Sequence, residues 1–329
     1  MRASIVFYLL GAFAVLSIGP ADPLHATDLP RVGFISSAGT PAAPSPLFDA
    51  FRSGLSDLGY TDGKDITIIH RYAEGRLDRM PAFVHEFVQL KVNAIVATNN
   101  VAIQAAKEAT KTIPIVIISS VDPVSAGYVE SFARPGRNIT GLTTFSRDLS
   151  AKRVELLKEV LPKMSRMGVL WDADGPGPAV AVKEYRAAGQ AFKLRVRSLE
   201  VRGPKPDFIG AFQAAKTWHL DALVVVGNPL MAQHAKQVFE LASANRWPSM
   251  TEHDRYVTAG GLISYGPSFA DLYRRAAGYV VEILKGAKPG DLPVRLPEKF
   301  EIFINLKTAR QIGAVIPQHV LVQADKVIN

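Results

Sequence analysis

Apolar residues along this chain fall into two alternating patterns. Short continuous runs, often β-branched, sit at 31–36, 65–72, 94–98, 113–119, 167–171, 194–201, 222–226, 261–265 and 300–305. Runs such as VNAIVAT, IPIVIIS and DALVVVG read as continuous hydrophobic stretches without alternation, as strands buried on both faces of a parallel sheet do. Between them lie segments of helical period at 46–58, 80–90, 101–110, 149–161, 180–192, 206–218, 229–245 and 268–284. In the first of these, Leu47, Phe51, Leu55 and Leu58 line one face, and Gly59 stands where a C-cap belongs. The order strand–helix–strand predicts an α/β protein with doubly wound, Rossmann-like lobes. Two series are visible, one over 31–143 and one from about residue 167. The turn-rich stretch 134–144 (RPGRNITGLTT) separates them and marks a lobe boundary. Two such lobes imply a cleft between them, with ligand groups at the carboxyl ends of the strands.

The first residues follow another pattern. Arg2 precedes fourteen residues that are apolar apart from one Ser (IVFYLLGAFAVLSI), then Pro20 and Pro23. A membrane span needs about 20 apolar residues. The pattern reads as a signal peptide over 1–26, cut after Ala26. The expected destination is the periplasm, in soluble form. The chain has no cysteine. That excludes disulfides, thiolate metal sites, a Cys nucleophile and a lipid-anchored N-terminal Cys, so the protein is not expected to be a lipoprotein. The formal charge is +8, from 38 Lys and Arg against 30 Asp and Glu. The basic residues are scattered without interleaved aromatics, so a solvated basic surface is expected and no nucleic-acid partner.

Catalytic and cofactor motifs are missing. There is no P-loop, no G-x-G-x-x-G after the first strand, no G-x-S-x-G elbow and no H-E-x-x-H. The tract Glu252-His253-Asp254 lacks a second His nearby, so no metal is assigned to it. The tract from Asp172 imitates the start of a calcium loop. It has Pro176 at position 5 and Lys183 at position 12, where the bidentate Glu belongs. No cofactor and no catalytic residue is assigned.

The strand ends offer binding chemistry instead. Ser36 and Ser37, Thr98, Asn99 and Asn100, Ser119, Ser120 and Asp122, Thr144, and Asn228 all follow strands or close the turn-rich stretch. Their hydroxyls and amides, with the free N–H groups of helix starts, suit a carboxylate. The same residue types are also ordinary helix caps. Asp122 and Glu252 are candidates to hold an ammonium group. Trp171 and Tyr265 are candidates to cover a side chain.

Several stretches together resemble the exported substrate-binding proteins of ABC transporters, in the family that includes tryptophan/tyrosine-type binding proteins. They are 51–60 (FRSGLSDLGY), 71–75 (RYAEG), Asp122 with its Pro-Val, 134–136 (RPG), Thr140 with Gly141, 151–162 (AKRVELLKEVLP), 261–266 (GLISYG), 283–286 (ILKG) and 299–309 (KFEIFINLKTA). The resemblance covers roughly 31–328. It implies a type I periplasmic-binding fold with three crossovers, near 141–146, 257–262 and 293–299. Lobe 1 would be 27–143 plus 259–292, and lobe 2 would be 144–258 plus 293–329. The last two crossovers rest on the resemblance alone. It also implies capture of a small amino acid or related carboxylate, and delivery to ABC permease subunits in the inner membrane. Thr98 to Asn100, Ser119 to Asp122, Asn228 and Tyr265 lie in matching segments. The loop 171–177 (WDADGPG) departs from the family's Asn-Pro-rich turn, and Trp171 and Glu252 lie in variable segments. An exported ligand sensor for a membrane receptor is the alternative reading, and an α/β hydrolase or isomerase a further one.

Overall fold

The computed structural model describes residues 29–37, 39–144, 149–174 and 176–329. The expected signal peptide, 1–26, lies outside the described residues. In chain order, the first half forms β1 (Arg31–Ser36), α1 (Pro46–Asp57), β2 (Thr67–Tyr72), α2 (Met80–Gln89), β3 (Ala94–Ala97), α3 (Asn100–Ala109), β4 (Ile115–Ser119) and β5 (Ile139–Thr143). Then come α4 (Leu149–Val160), β6 (Arg166–Asp172), α5 (Pro176–Ala191), β7 (Arg195–Val201), α6 (Phe208–Thr217), β8 (Ala222–Val225), α7 (Pro229–Gln233), α8 (Ala235–Ala244) and β9 (Ser249–Thr251). The chain continues through α9 (Asp254–Thr258), β10 (Ile263–Pro267), α10 (Phe269–Leu284), β11 (Phe300–Asn305), α11 (Leu306–Ile312), α12 (Gln318–Gln323) and β12 (Lys326–Ile328).

The first sheet has strand order β2-β1-β3-β4-β5, with every pair parallel. Alternate residues feed opposite faces, because side chains alternate along a strand. Val32, Phe34, Ala94, Val96, Val116 and Ile118 pack under α1 and α10. Ile35, Ile95, Ala97, Ile115 and Ile117 pack under α2 and α3. Both faces are covered, which explains the unbroken apolar runs.

The second sheet has order β12-β11-β10-β9-β8-β6-β7. Its pairs are parallel except β10 with β11. Met167, Val169, Val224, Ile263 and Ile304 face α4, α5, α11 and α12. Leu170, Leu199, Leu223 and Val225 face α6, α7 and α8. The fold is thus the expected pair of doubly wound α/β lobes.

Three details differ from the expectations. The stretch 134–144 contains a strand, β5, not only turns. Its sequence ITGLT is too polar to read as one, and it exists because β4 pairs it residue for residue. The segment 229–245 is two helices, α7 and α8, broken at His234, whose φ of −104° and ψ of 13° leave the helical region. The second crossover is not at 257–262. β10 lies between β9 and β11 in the second sheet, while α10 packs on the first. The chain therefore changes lobes at Pro267–Ser268, and 259–267 goes with lobe 2 instead of lobe 1.

The crossovers hold one another. Thr143 N–H donates to Arg295 O at 3.1 Å, and Arg295 N–H to Gly141 O at 3.0 Å. Ser268 N–H donates to Lys299 O at 2.9 Å. The first crossover leaves the carboxyl end of β5, and the second leaves that of β10. The third enters β11, which runs antiparallel to β10 and so starts at the same edge. The carboxyl edges of both sheets therefore meet at the crossovers. Among the described residues no helix is long and apolar enough to cross a membrane.

Candidate functional site

On the first lobe the expected residues collect at one edge. Ser36 ends β1, and its Oγ lies 2.7 Å from His70 Nε2. The Ser37 carbonyl accepts from Gly75 N–H at 2.8 Å. Thr98 Oγ1 donates to Ile35 O at 2.8 Å, tying the end of β3 to β1. Asn99 caps α3: its Oδ1 accepts from Ala102 N–H at 3.0 Å. Its Nδ2 is buried with no hydrogen-bond partner among the described residues. Asn100 Nδ2 donates to Ser120 Oγ at 3.0 Å, and its Oδ1 accepts from Ser119 Oγ at 3.3 Å. The Ser119 carbonyl accepts from Thr144 N–H at 2.8 Å. Asp122 caps its own turn, accepting from Val124 N–H at 3.0 Å and from Ser125 Oγ at 3.0 Å. Asn100, Ser119, Ser120 and Thr144 thus form one hydrogen-bonded group.

On the second lobe Asn228 caps α7, accepting from Met231 N–H at 2.8 Å, and its Nδ2 donates to Asp172 Oδ2 at 2.6 Å. Glu252 Oε1 accepts from Gly227 N–H at 2.8 Å. Its Oε2 lies 3.8 Å from Arg153 Nη1. Arg153 is buried beneath α4, donating from Nε to Tyr265 O at 2.7 Å and from Nη1 to Tyr185 Oη at 3.3 Å. Burial works against the guanidinium charge, but Tyr185 and Glu252 outweigh it, and the pKa moves up. Burial likewise raises the Tyr185 hydroxyl. Tyr265 packs with Phe300, ring centroids 6.0 Å apart. Trp171 shares the α4–α5 face of the sheet with Tyr265. Its Nε1–H donates to Ser198 Oγ at 2.7 Å, on the outer strand β7.

The tract at 252–254 splits in two. Glu252 serves Gly227 and Arg153, His253 contacts the exposed Asp254 carboxylate through Nδ1, and the His253 ring stacks on Phe269 of α10 with centroids 4.2 Å apart. Among the described residues no group of three metal-ligating side chains converges. Two hollows, about 540 Å³ between α2 and α3 and about 600 Å³ beside Arg134 and Lys288, lie outside the strand-end groups, although Asn100 touches the first. The site is therefore defined by strand topology rather than by a closed cavity.

Four neighbours of these strand-end residues were not singled out in the sequence. Arg153 and Tyr185 sit under the second lobe's strand ends. His70 stands beside Ser36. Tyr273 of α10 is buried against Thr98, and burial raises its hydroxyl pKa. Each belongs to a helix or strand whose local pattern gives no sign of its partner.

Two doubly wound lobes, joined by three crossovers at their polar strand ends, define the type I periplasmic-binding fold. A model of the ABC transporter substrate binding protein family matches residues 43–328, and the chain belongs to that family. It is a family of binding proteins, not of enzymes. A tyrosine-binding protein of Clostridioides difficile (strain R20291) is 29% identical over 269 residues, which is 80% of this chain and 75% of that protein. An ABC domain solved in complex with L-Trp, from Streptococcus pneumonia, shares 25% identity with a TM-score of 0.79, covering 91% of this chain and 100% of that one. The ligand-free, open structure of a substrate binding protein with adhesive properties from Clostridium difficile gives 25% identity and a TM-score of 0.74, covering 92% and 100%.

Proposed function

We propose that this chain is the periplasmic solute-binding component of an ABC importer. It captures an amino acid or related carboxylate between its lobes and delivers it to permease subunits in the inner membrane. The observation that carries the reading is the run Thr98–Asn99–Asn100, where β3 meets α3. It presents first-turn N–H groups, and the Asn99 amide keeps a buried donor without a protein partner. Such donors at a helix start bind carboxylates. The relatives named as binding tyrosine and L-Trp support an amino acid, with an aromatic one first in line.

In this reading Thr98 to Asn100, Ser119 and Ser120 grip the carboxylate, with Ser36, Ser37 and Thr144 beside them. Asp122 holds the amine, because Glu252 already faces Arg153. Trp171, Asn228 and Tyr265 close over the ligand from the second lobe. Binding bridges the lobes and shifts the hinge equilibrium toward closure. Residues 1–26 direct export and are removed, and the absence of cysteine leaves no lipid anchor.

A thermal-shift and calorimetry panel of amino acids, aromatic acids, nucleobases and dicarboxylates tests the proposal. A true ligand at 100 times its Kd stabilises the fold by about 2.7 kcal/mol. An amino-acid hit without turnover is the expected result. Asp122→Ala then weakens an amine-bearing ligand about tenfold or more. Unchanged affinity in that variant removes Asp122 from the site, and turnover of the bound compound overturns the binding-protein reading.

A further inference from the structure

Ser36 and His70 form a pair with one proton too many. Ser36 Oγ and His70 Nε2 are 2.7 Å apart. His70 lies on β2, in register with Phe34 of β1. Its ring centroid is 3.9 Å from Phe48, 3.8 Å from Tyr72 and 5.1 Å from Phe34. Its Nδ1 is buried with no hydrogen-bond partner among the described residues. Ser36 is 5% exposed, and His70 is its side chain's one hydrogen-bond partner among the described residues.

A neutral imidazole carries one N–H and the hydroxyl carries one O–H. Only one of the two can occupy the Ser36–His70 contact, so the other has no protein acceptor. If Ser36 donates to Nε2, the spare proton sits on Nδ1, sealed among three aromatic rings. If Nε2–H donates to Ser36, the spare proton sits on Oγ at the carboxyl end of β1. That edge faces the second lobe. A buried N–H that nothing can reach is the costlier of the two arrangements.

We propose that His70 is a positioning residue that donates from Nε2–H to Ser36 Oγ and so turns the Ser36 hydroxyl proton toward the cleft, as a donor to a ligand carboxylate oxygen. This rests on the amino-acid reading given above. The aromatic cage fixes the ring, and burial, with Arg71 nearby, lowers the His70 pKa to about 4, so the ring is neutral at ordinary pH. A hydroxyl held with its proton outward needs no reorientation when the anion arrives, and a bond to a charged oxygen is the strong kind.

Two measurements on the full chain test it. Nitrogen-15 NMR of labelled histidines, with His70 identified by its loss in His70→Phe, reads the tautomer directly. The expected proton is on Nε2 between about pH 5.5 and pH 8. A proton on Nδ1 overturns the proposal. Calorimetry then compares L-tyrosine and L-tryptophan with tyramine and tryptamine, which lack the carboxylate. Ser36→Ala is expected to weaken the amino acids about tenfold and leave any binding of the amines unchanged. His70→Phe keeps the aromatic packing, frees the hydroxyl to rotate, and is expected to cost about threefold to tenfold, again for the amino acids alone. It also decides the matter if Ser36→Ala fails to fold. If wild type binds the amino acids and neither variant changes them, this proposal fails while the amino-acid reading stands. If wild type binds none of the four probes, the aromatic amino acid drops out of that reading and the carboxylate contact proposed for it falls with it.

Discussion

Arg153 is 8% exposed and still charged, because three oxygens answer it: the Tyr265 carbonyl, the Tyr185 hydroxyl and the Glu252 carboxylate. Replacing it with Met leaves the buried Tyr185 hydroxyl and the Tyr265 carbonyl without this donor, which costs about 1–3 kcal/mol. Urea denaturation of Arg153→Met checks this. Arg153→Lys recovers only part, because an ammonium cannot reproduce the planar fork. His70 makes the opposite case, a titratable ring kept neutral. Its folded pKa of about 4 lies below its unfolded value of about 6.5, so the unfolded chain binds the extra proton. The neutral ring's contribution to stability is therefore present above pH 6.5 and is lost as pH falls toward 4. Stability measured across that window is expected to slope downward with acid, and His70→Phe to flatten the slope. Neither residue was legible in the sequence. Asn99 and Asn228 were, since a polar residue between strand and helix announces a cap locally. The partners of Arg153 and His70 lie on other elements, and no spacing in the chain records them.

Elements were legible where their own residues dictate them. Apart from β5 and the three-residue β9, the buried strands of both sheets showed as apolar runs, and α1 through α6 showed by period, within a few residues at their ends. β5 did not show, because its polar sequence is made a strand by β4 beside it. Gly141 in β5 has a φ of +136°, and a Cβ there would come within 2.3 Å of the Ile117 carbonyl oxygen. Gly141→Ala is expected to cost about 2–4 kcal/mol, from strain and the clash together, read as a lowered denaturation midpoint. β12 has three residues, and α11 and α12 are short, so neither carries enough period to read. The junction of β10 and α10 misled for a different reason. Strand and helix are adjacent in sequence yet belong to different lobes, and only the pairing of β10 with β9 and β11 shows it. Ser268 sits at this junction, its Oγ donating to Glu301 at 2.8 Å and accepting from Asp271 N–H at 3.3 Å. Losing that cap in Ser268→Ala is expected to cost about 1 kcal/mol, checked by the same melt.

At the scale of the molecule, the proposed closure has a shape consequence. Saturating ligand is expected to lower the radius of gyration in small-angle scattering, and a ligand that binds without changing it argues against closure. The interleaving of the lobes has its own consequence for how the chain comes to be folded. The first sheet's core is incomplete without α10, whose Leu272, Ala276, Ala277 and Val280 fill it. Arg274 of that helix pairs with Asp57 of α1 across 217 residues of sequence. A ribosome that has finished β5 has therefore made a lobe with one face only half covered, by α1 alone. Contacts of such long sequence separation form slowly. Slow assembly is normally a hazard, since bare apolar faces aggregate. Under the export proposed above, a chain passed unfolded through a translocation pore would gain from it. The late arrival of α10 would then act as a timer, keeping the first lobe unfinished until the rest of the chain has been made.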